Sequence, residues 1–85
     1  MTQPWLNEAI AVMLDDDGIP IQFVWREQRH GIARILQRWE LETDWWRADG
    51  GIYRLYLAVL TDRKLLCVIY HDHLHAQWRL LRLYD

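Results

Sequence analysis

Three histidines at alternate positions, His71, His73 and His75, are the sharpest chemical feature of this sequence. On an extended strand alternate side chains share a face, so three imidazoles could converge on one metal ion, with Asp72 adding a carboxylate. Two observations weigh against a metal. The stretch 72–75 reads as a turn, which would scatter the rings, and zinc sites usually combine ligand pairs from distant parts of a chain. Exposed hairpin histidines are the plainer reading, and neither a metal nor another cofactor is expected. The acidic run Asp15-Asp16-Asp17 lacks the alternate spacing and the distant Glu of a calcium loop, and reads as a solvated turn. The chain has no Ser, and its Thr residues (Thr2, Thr43, Thr61) have no neighbouring base in sequence, which argues against triad-type nucleophilic catalysis. It also lacks a glycine-rich phosphate loop. The chain is not expected to be an enzyme.

What remains is aromatic and cationic. Guanidinium and indole are adjacent four times, in Trp25-Arg26, Arg38-Trp39, Trp46-Arg47 and Trp78-Arg79. On a strand, neighbours face opposite sides, so each pair most simply places Trp in a core and Arg in water. A surface Trp beside Arg would instead suit base stacking in a basic groove or an interface hot spot. Trp45-Trp46 bears on the choice, because two adjacent indoles cannot easily both be buried in one small core. An exposed indole marks a contact surface.

The elements that must position these residues are mostly strands. Ile21, Phe23 and Trp25 alternate with Gln22, Val24 and Arg26, the period-two signal of a half-buried strand. Residues 27–29 read as a polar turn. Asp15-Asp16-Asp17-Gly18 forms the turn before that strand, and a second strand starting at once favours a hairpin with 8–14. Residues 52–61 form a strand with Tyr53, Leu55, Leu57 and Val59 on one face. Residues 64–71 are apolar on both faces, as in a strand covered on each side, and residues 77–84 close the chain with a pattern that blurs at Leu81 and Leu83, consistent with a bulge. Two segments carry competing patterns. Residues 5–14 and 30–41 show helical spacing as well as strand alternation; as a strand, 30–41 would line one face with Gly31, Ala33, Ile35, Gln37 and Trp39. The expected fold is mainly β, a small single-domain barrel or sandwich of about six antiparallel strands, or α+β if those two segments are helical. Residues 42–51 are the longest loop-like stretch.

Eighty-five residues make one domain, with residues 1–7 as a flexible or helical extension. One cysteine, Cys67, permits no internal disulfide, and its apolar surroundings read as core. The core must then come from large side chains, and 6 Trp and 4 Tyr supply them. No signal peptide is visible and no apolar run approaches the roughly 20 residues that span a bilayer, so a soluble cytoplasmic protein without membrane contact is expected. Net charge is −2, which argues against simple polyanion binding. All 10 bases, however, lie after residue 18, and all but Lys64 are Arg.

Pro20-Ile21-Gln22-Phe23-Val24-Trp25-Arg26, Trp39, Trp45-Trp46, Tyr53-Arg54-Leu55, Gln77-Trp78-Arg79-Leu80 and Leu81-Arg82-Leu83-Tyr84-Asp85 together carry a resemblance. Over about residues 8–85 the chain resembles a small uncharacterised Trp-rich bacterial domain, found alone or at the C-terminus of Y-family polymerase-like proteins of the mutagenic repair complex. The resemblance implies strands at 8–14 and 30–41 and a setting in DNA repair or mutagenesis; it brings no activity with it. The family tends to place Gly in the tight turn after the Trp-Arg pair, whereas here Glu27-Gln28 stands there, and the stretch 71–75 does not match the family pattern.

The function expected from these readings is a non-catalytic interaction module, binding a protein partner or a second copy of itself through Trp39, Trp45, Trp46 and Arg47. The alternative is single-stranded nucleic-acid binding through Arg26, Arg38, Arg47, Arg54 and Arg79 beside exposed Trp.

Overall fold

The computed structural model describes residues 6–43 and 51–84. They form six strands: β1 (Glu8–Leu14), β2 (Pro20–Trp25), β3 (Gln28–Glu42), β4 (Tyr53–Thr61), β5 (Leu66–Asp72) and β6 (Gln77–Tyr84). Each strand pairs antiparallel with its neighbour in sequence, and β6 returns to β1, closing an all-β barrel. Closure removes most of the unpaired edges that a flat sheet of this size would expose. Residues 8–14 and 30–41, the described parts of the ambiguous segments that carry strand alternation, are strands: local helical spacing yields to cross-strand backbone pairing.

The turns explain the hairpins. In the first, the Asp15 carboxylate accepts hydrogen bonds from the backbone N–H of Asp17 (2.8 Å) and Ile19 (2.9 Å), and Gly18 supplies φ +79°. The β2–β3 turn is tighter than the expected 27–29. Arg26 and Glu27 are its two central residues, at φ +51° and +67°, while Gln28 already pairs with Trp25. That is the twist-matched two-residue hairpin turn, made here without the glycine that normally makes it cheap. The Arg26 side chain compensates by lying over the Trp25 ring at 4.7 Å and pairing with Glu8 on β1 at 2.7 Å.

The barrel interior holds Phe23, Leu57, Val59, Cys67, Ile69 and Leu80, packed round by Ile10, Val12, Trp25, Ile32, Leu55, Trp78 and Leu83. Burial of each large apolar side chain contributes roughly 1.5–3 kcal/mol. Burial pushes the Cys67 thiol up to about 11, so it is a packing residue. Gly31 lets the β4–β5 turn approach β3: Asp62 N–H donates to the Gly31 carbonyl at 2.9 Å, and a Cβ at residue 31 would meet the Asp62 carboxylate at 2.7 Å.

Four register shifts bend the barrel and re-aim side chains. On β2 the shift between Met13 and Leu14 leaves Ile21 as the extra residue, which is why it is exposed despite following the core alternation. On β6 Leu81 is the extra residue, the source of the blurred pattern. On β3, Ala33 and Leu36 are both extra. These two bulges correct the expected single face of 30–41. Ile32 and Ile35 sit opposite Thr61 and Val59 on the inner face, whereas Gln37 and Trp39 sit opposite Ala58 and Tyr56 on the outer one. Beyond Gly31, β3 leaves β2 and, among the described residues, pairs with β4 alone.

Candidate interaction surface

Register, rather than sequence distance, assembles the candidate surface. Trp39 on β3, Tyr56 on β4, Tyr70 on β5 and Arg79 on β6 are successive cross-strand partners, so they form one row across the outside of the barrel. Trp39 stacks on Tyr56 with ring centroids 5.4 Å apart and planes 3° from parallel, and Tyr56 meets Tyr70 at 5.2 Å. Such contacts add about 0.5–1.5 kcal/mol beyond the area they bury. Tyr70 is fully buried although it faces outward: its hydroxyl donates to the Asn7 side-chain oxygen (2.6 Å), and the Arg54 guanidinium lies 4.7 Å over its ring. Asn7, at φ +51°, also accepts from Arg79 Nε at 2.9 Å. Within the stretch 64–71, residues 67–70 are therefore covered on both faces as its composition implied, whereas Lys64 is an exposed residue before β5. The outer cover consists of side chains from neighbouring strands and from the chain just before β1.

This row borders a groove of about 450 Å³, lined by Trp39, Leu41, Tyr56, Val68, Leu81, Arg82 and Tyr84. Trp39 is 40% exposed, Leu41 40% and Tyr84 38%, so the groove has a wet aromatic rim over a buried floor of Tyr56 and Val68. Arg82 lies 4.8 Å over the Tyr84 ring. An apolar floor, aromatic walls and a guanidinium rim are the composition of interface hot spots.

The expected contact residues divide. Trp39 is the outward-facing indole at the groove's edge, the opposite of the simple Trp-in, Arg-out arrangement. Trp45, Trp46 and Arg47 lie outside the described residues. Trp25 and Trp78 pack against the core as the alternation implied. The arginines named for nucleic-acid contact do not form one track. Arg54 and Arg79 lie on the outer face, Arg38 extends from the inner side of β3 and contacts Glu40 at 3.3 Å, and Arg26 is held by Glu8. The Glu8 carboxylate is shifted down by its hydrogen bonds from Arg26 and then Trp25. Groove residues Tyr56, Val68, Leu81 and Tyr84 were not singled out from sequence. Apolar residues on both faces of 64–71 were the signal that could have found the floor.

The histidines separate as a turn requires. His71 and His73 come together, with Nδ1 atoms 2.8 Å apart, one donating and one accepting, beside Tyr53 and Trp78. Burial and then the neighbouring His73 hold His71 below the usual histidine range. His75 turns away to Asp72, Nδ1 to Oδ2 2.8 Å. Asp72 also accepts from the backbone N–H of Leu74 (3.0 Å) and His75 (3.2 Å). Its burial raises the carboxyl, but these hydrogen bonds outweigh it and hold it low. Asp72 is thus the cap of the β5–β6 turn. Among the described residues no three His, Cys, Asp or Glu side chains are placed to hold a metal ion.

The architecture is that of a small closed antiparallel β-barrel with an aromatic groove on its outer wall. The chain belongs to the family described as "Domain of unknown function (DUF6504)", whose model matches residues 1–85. Searches of curated proteins and of solved structures return no match.

Proposed function

We propose that this domain is a non-catalytic interaction module whose contact surface is the groove beside Trp39. The observation that carries the proposal is the half-exposed Trp39 stacked on Tyr56, at the rim of an apolar groove outside the barrel. The barrel interior already has its core, so this second aromatic cluster is not required to close it. An indole left 40% in water on a regular strand is explained by a partner that covers it. The resemblance to domains at the C-terminus of Y-family polymerase-like proteins supports a DNA-repair or mutagenesis setting, with a protein partner.

The single-stranded nucleic-acid reading draws on one feature, the guanidinium groups of Arg54 and Arg82 stacked on tyrosines near Trp39. The pairing of Arg26 and Arg38 with carboxylates and the net charge of −2 favour protein.

Replacing Tyr84 by a photo-crosslinking phenylalanine analogue in cells, with Lys64 replaced as control, tests the reading. Adducts from position 84 and none from position 64 support it. No adduct at 84, or equal adducts at both, refutes it. Tryptophan quenching by oligothymidylate that disappears steeply with salt would favour the nucleic-acid reading instead.

A further inference from the structure

The groove is a face, but β3 also offers an edge. We propose that the chain pairs with a second copy of itself along β3, antiparallel, with the two-fold axis passing through Trp39. This names a partner for the interaction-module reading and rests on it.

Three observations fix the register. First, residues 37–42 are the bulge-free part of β3: their partners on β4 follow one another without a shift, whereas Ala33 and Leu36 interrupt the earlier part. Bulges of that kind block edge pairing, so the pairing segment lies after them. Second, the free backbone groups are identified by the ladder. Thr43 N–H donates to the Ile52 carbonyl at 2.7 Å, so Thr43 points toward β4. Backbone direction alternates along a strand, so Leu41, Trp39 and Gln37 also point to β4, while Arg38 and Glu40 present their N–H and C=O to the open edge. Third, antiparallel pairing about an axis perpendicular to the sheet keeps inner face beside inner face. The axis must then pass through a residue, not between two.

An axis on Gln37 would bring the Leu36 bulge into the pairing, and one on Glu42 sets Glu42 against itself; charge selects among the axes left. An axis on Arg38 sets Arg38 against itself. One on Glu40 sets Glu40 against itself, and one on Leu41 sets Glu40 against Glu42 twice. The axis on Trp39 sets Arg38 of each copy against Glu40 of the other, twice, with no like-charged pair. It also makes the two Arg38–Glu40 pairs the hydrogen-bonded ones and Trp39–Trp39 the closer, non-hydrogen-bonded pair. The two indoles meet beside their Tyr56 stacks, continuing the aromatic row from one barrel into the next. In the single chain Arg38 and Glu40 already lie on one side of β3, 3.3 Å apart and both more than half exposed, so exchanging partners requires only side-chain rotation.

The test is a charge exchange read by sedimentation equilibrium on the whole chain. The unaltered chain is expected to dimerise reversibly. Arg38→Glu alone makes both cross-strand pairs acidic, and Glu40→Arg alone makes both basic. Each single variant is expected to associate at least about tenfold more weakly, since two favourable pairs become repulsive. An equimolar mixture of the two single variants restores association, because every pair is again opposite in sign, and so does the double exchange within one chain. Far-ultraviolet circular dichroism confirms that each variant keeps its fold. A chain that stays monomeric at all concentrations overturns the proposal, as do single variants that dimerise like the parent or a mixture that fails to restore it. Groove adducts from Tyr84 formed by a strictly monomeric chain would leave the groove reading standing and remove only the edge.

Discussion

His30 gives the most quantitative prediction. It lies on the inner face opposite Phe23, 4% exposed, its ring stacked on Phe23 at 5.1 Å and 18° and near Trp25 at 6.0 Å. Neither ring nitrogen has a hydrogen-bond partner among the described residues. Burial, and then the positive charge of Arg63, push its pKa below the ordinary 6.5, with Asp62 opposing. The sign follows from linkage. The unfolded chain takes up a proton near pH 6.5 while the folded chain does not, so stability falls as pH drops below that value and levels off once the folded form protonates. Within that window the slope reaches at most about 1.4 kcal/mol per pH unit. His30→Phe keeps the stack on Phe23 and deletes both nitrogens. Any overpacking by the larger ring shifts the whole profile equally, so the difference in slope is the readout. Urea unfolding of both proteins from pH 7.5 to 5 should show the parent losing stability that the variant keeps. His71, whose shift has the same sign, remains in both and cancels. Parallel profiles would refute the reasoning.

Two further predictions concern stability and reactivity. Glu27→Gly should raise the melting temperature by several degrees, because Glu27 holds φ +67° at a cost of roughly 1–2 kcal/mol, part of which Gly returns as unfolded-chain entropy; an unchanged or lower melting temperature would contradict it. Cys67, buried and raised to about 11, should resist a thiol reagent such as dithionitrobenzoate in the native protein at pH 8 and react fully in guanidinium; labelling of the native protein at the rate of a free thiol would show that the barrel opens there.

The strands could be read because their signals are local. Ile21 to Trp25 alternate, Asp15 and Gly18 announce a turn, and residues 65–70 are apolar throughout. The Leu81 bulge showed as a blur in the β6 alternation, but the β3 bulges could not be read, because Ala33 and Leu36 carry no mark distinguishing an extra residue from a paired one. Each bulge inverts every face after it, and so Trp39 moved from a supposed common face with Ile35 to the outer wall. The groove was illegible for the same reason. Tyr56, Val68 and Tyr84 are far apart in sequence and become neighbours only through the β4–β5 and β5–β6 registers. The histidine run was legible as a turn, but the capping role of Asp72 needed the geometry of Leu74 and His75.

The central claim is that Trp39 serves a contact surface and not the core. Photo-crosslinking from position 84 in a Trp39→Ala background tests it most directly. The variant should keep the circular dichroism spectrum of a folded barrel and lose the adducts that the parent forms. Adducts that persist unchanged without the indole, or a chain that unfolds when it is removed, would contradict the account.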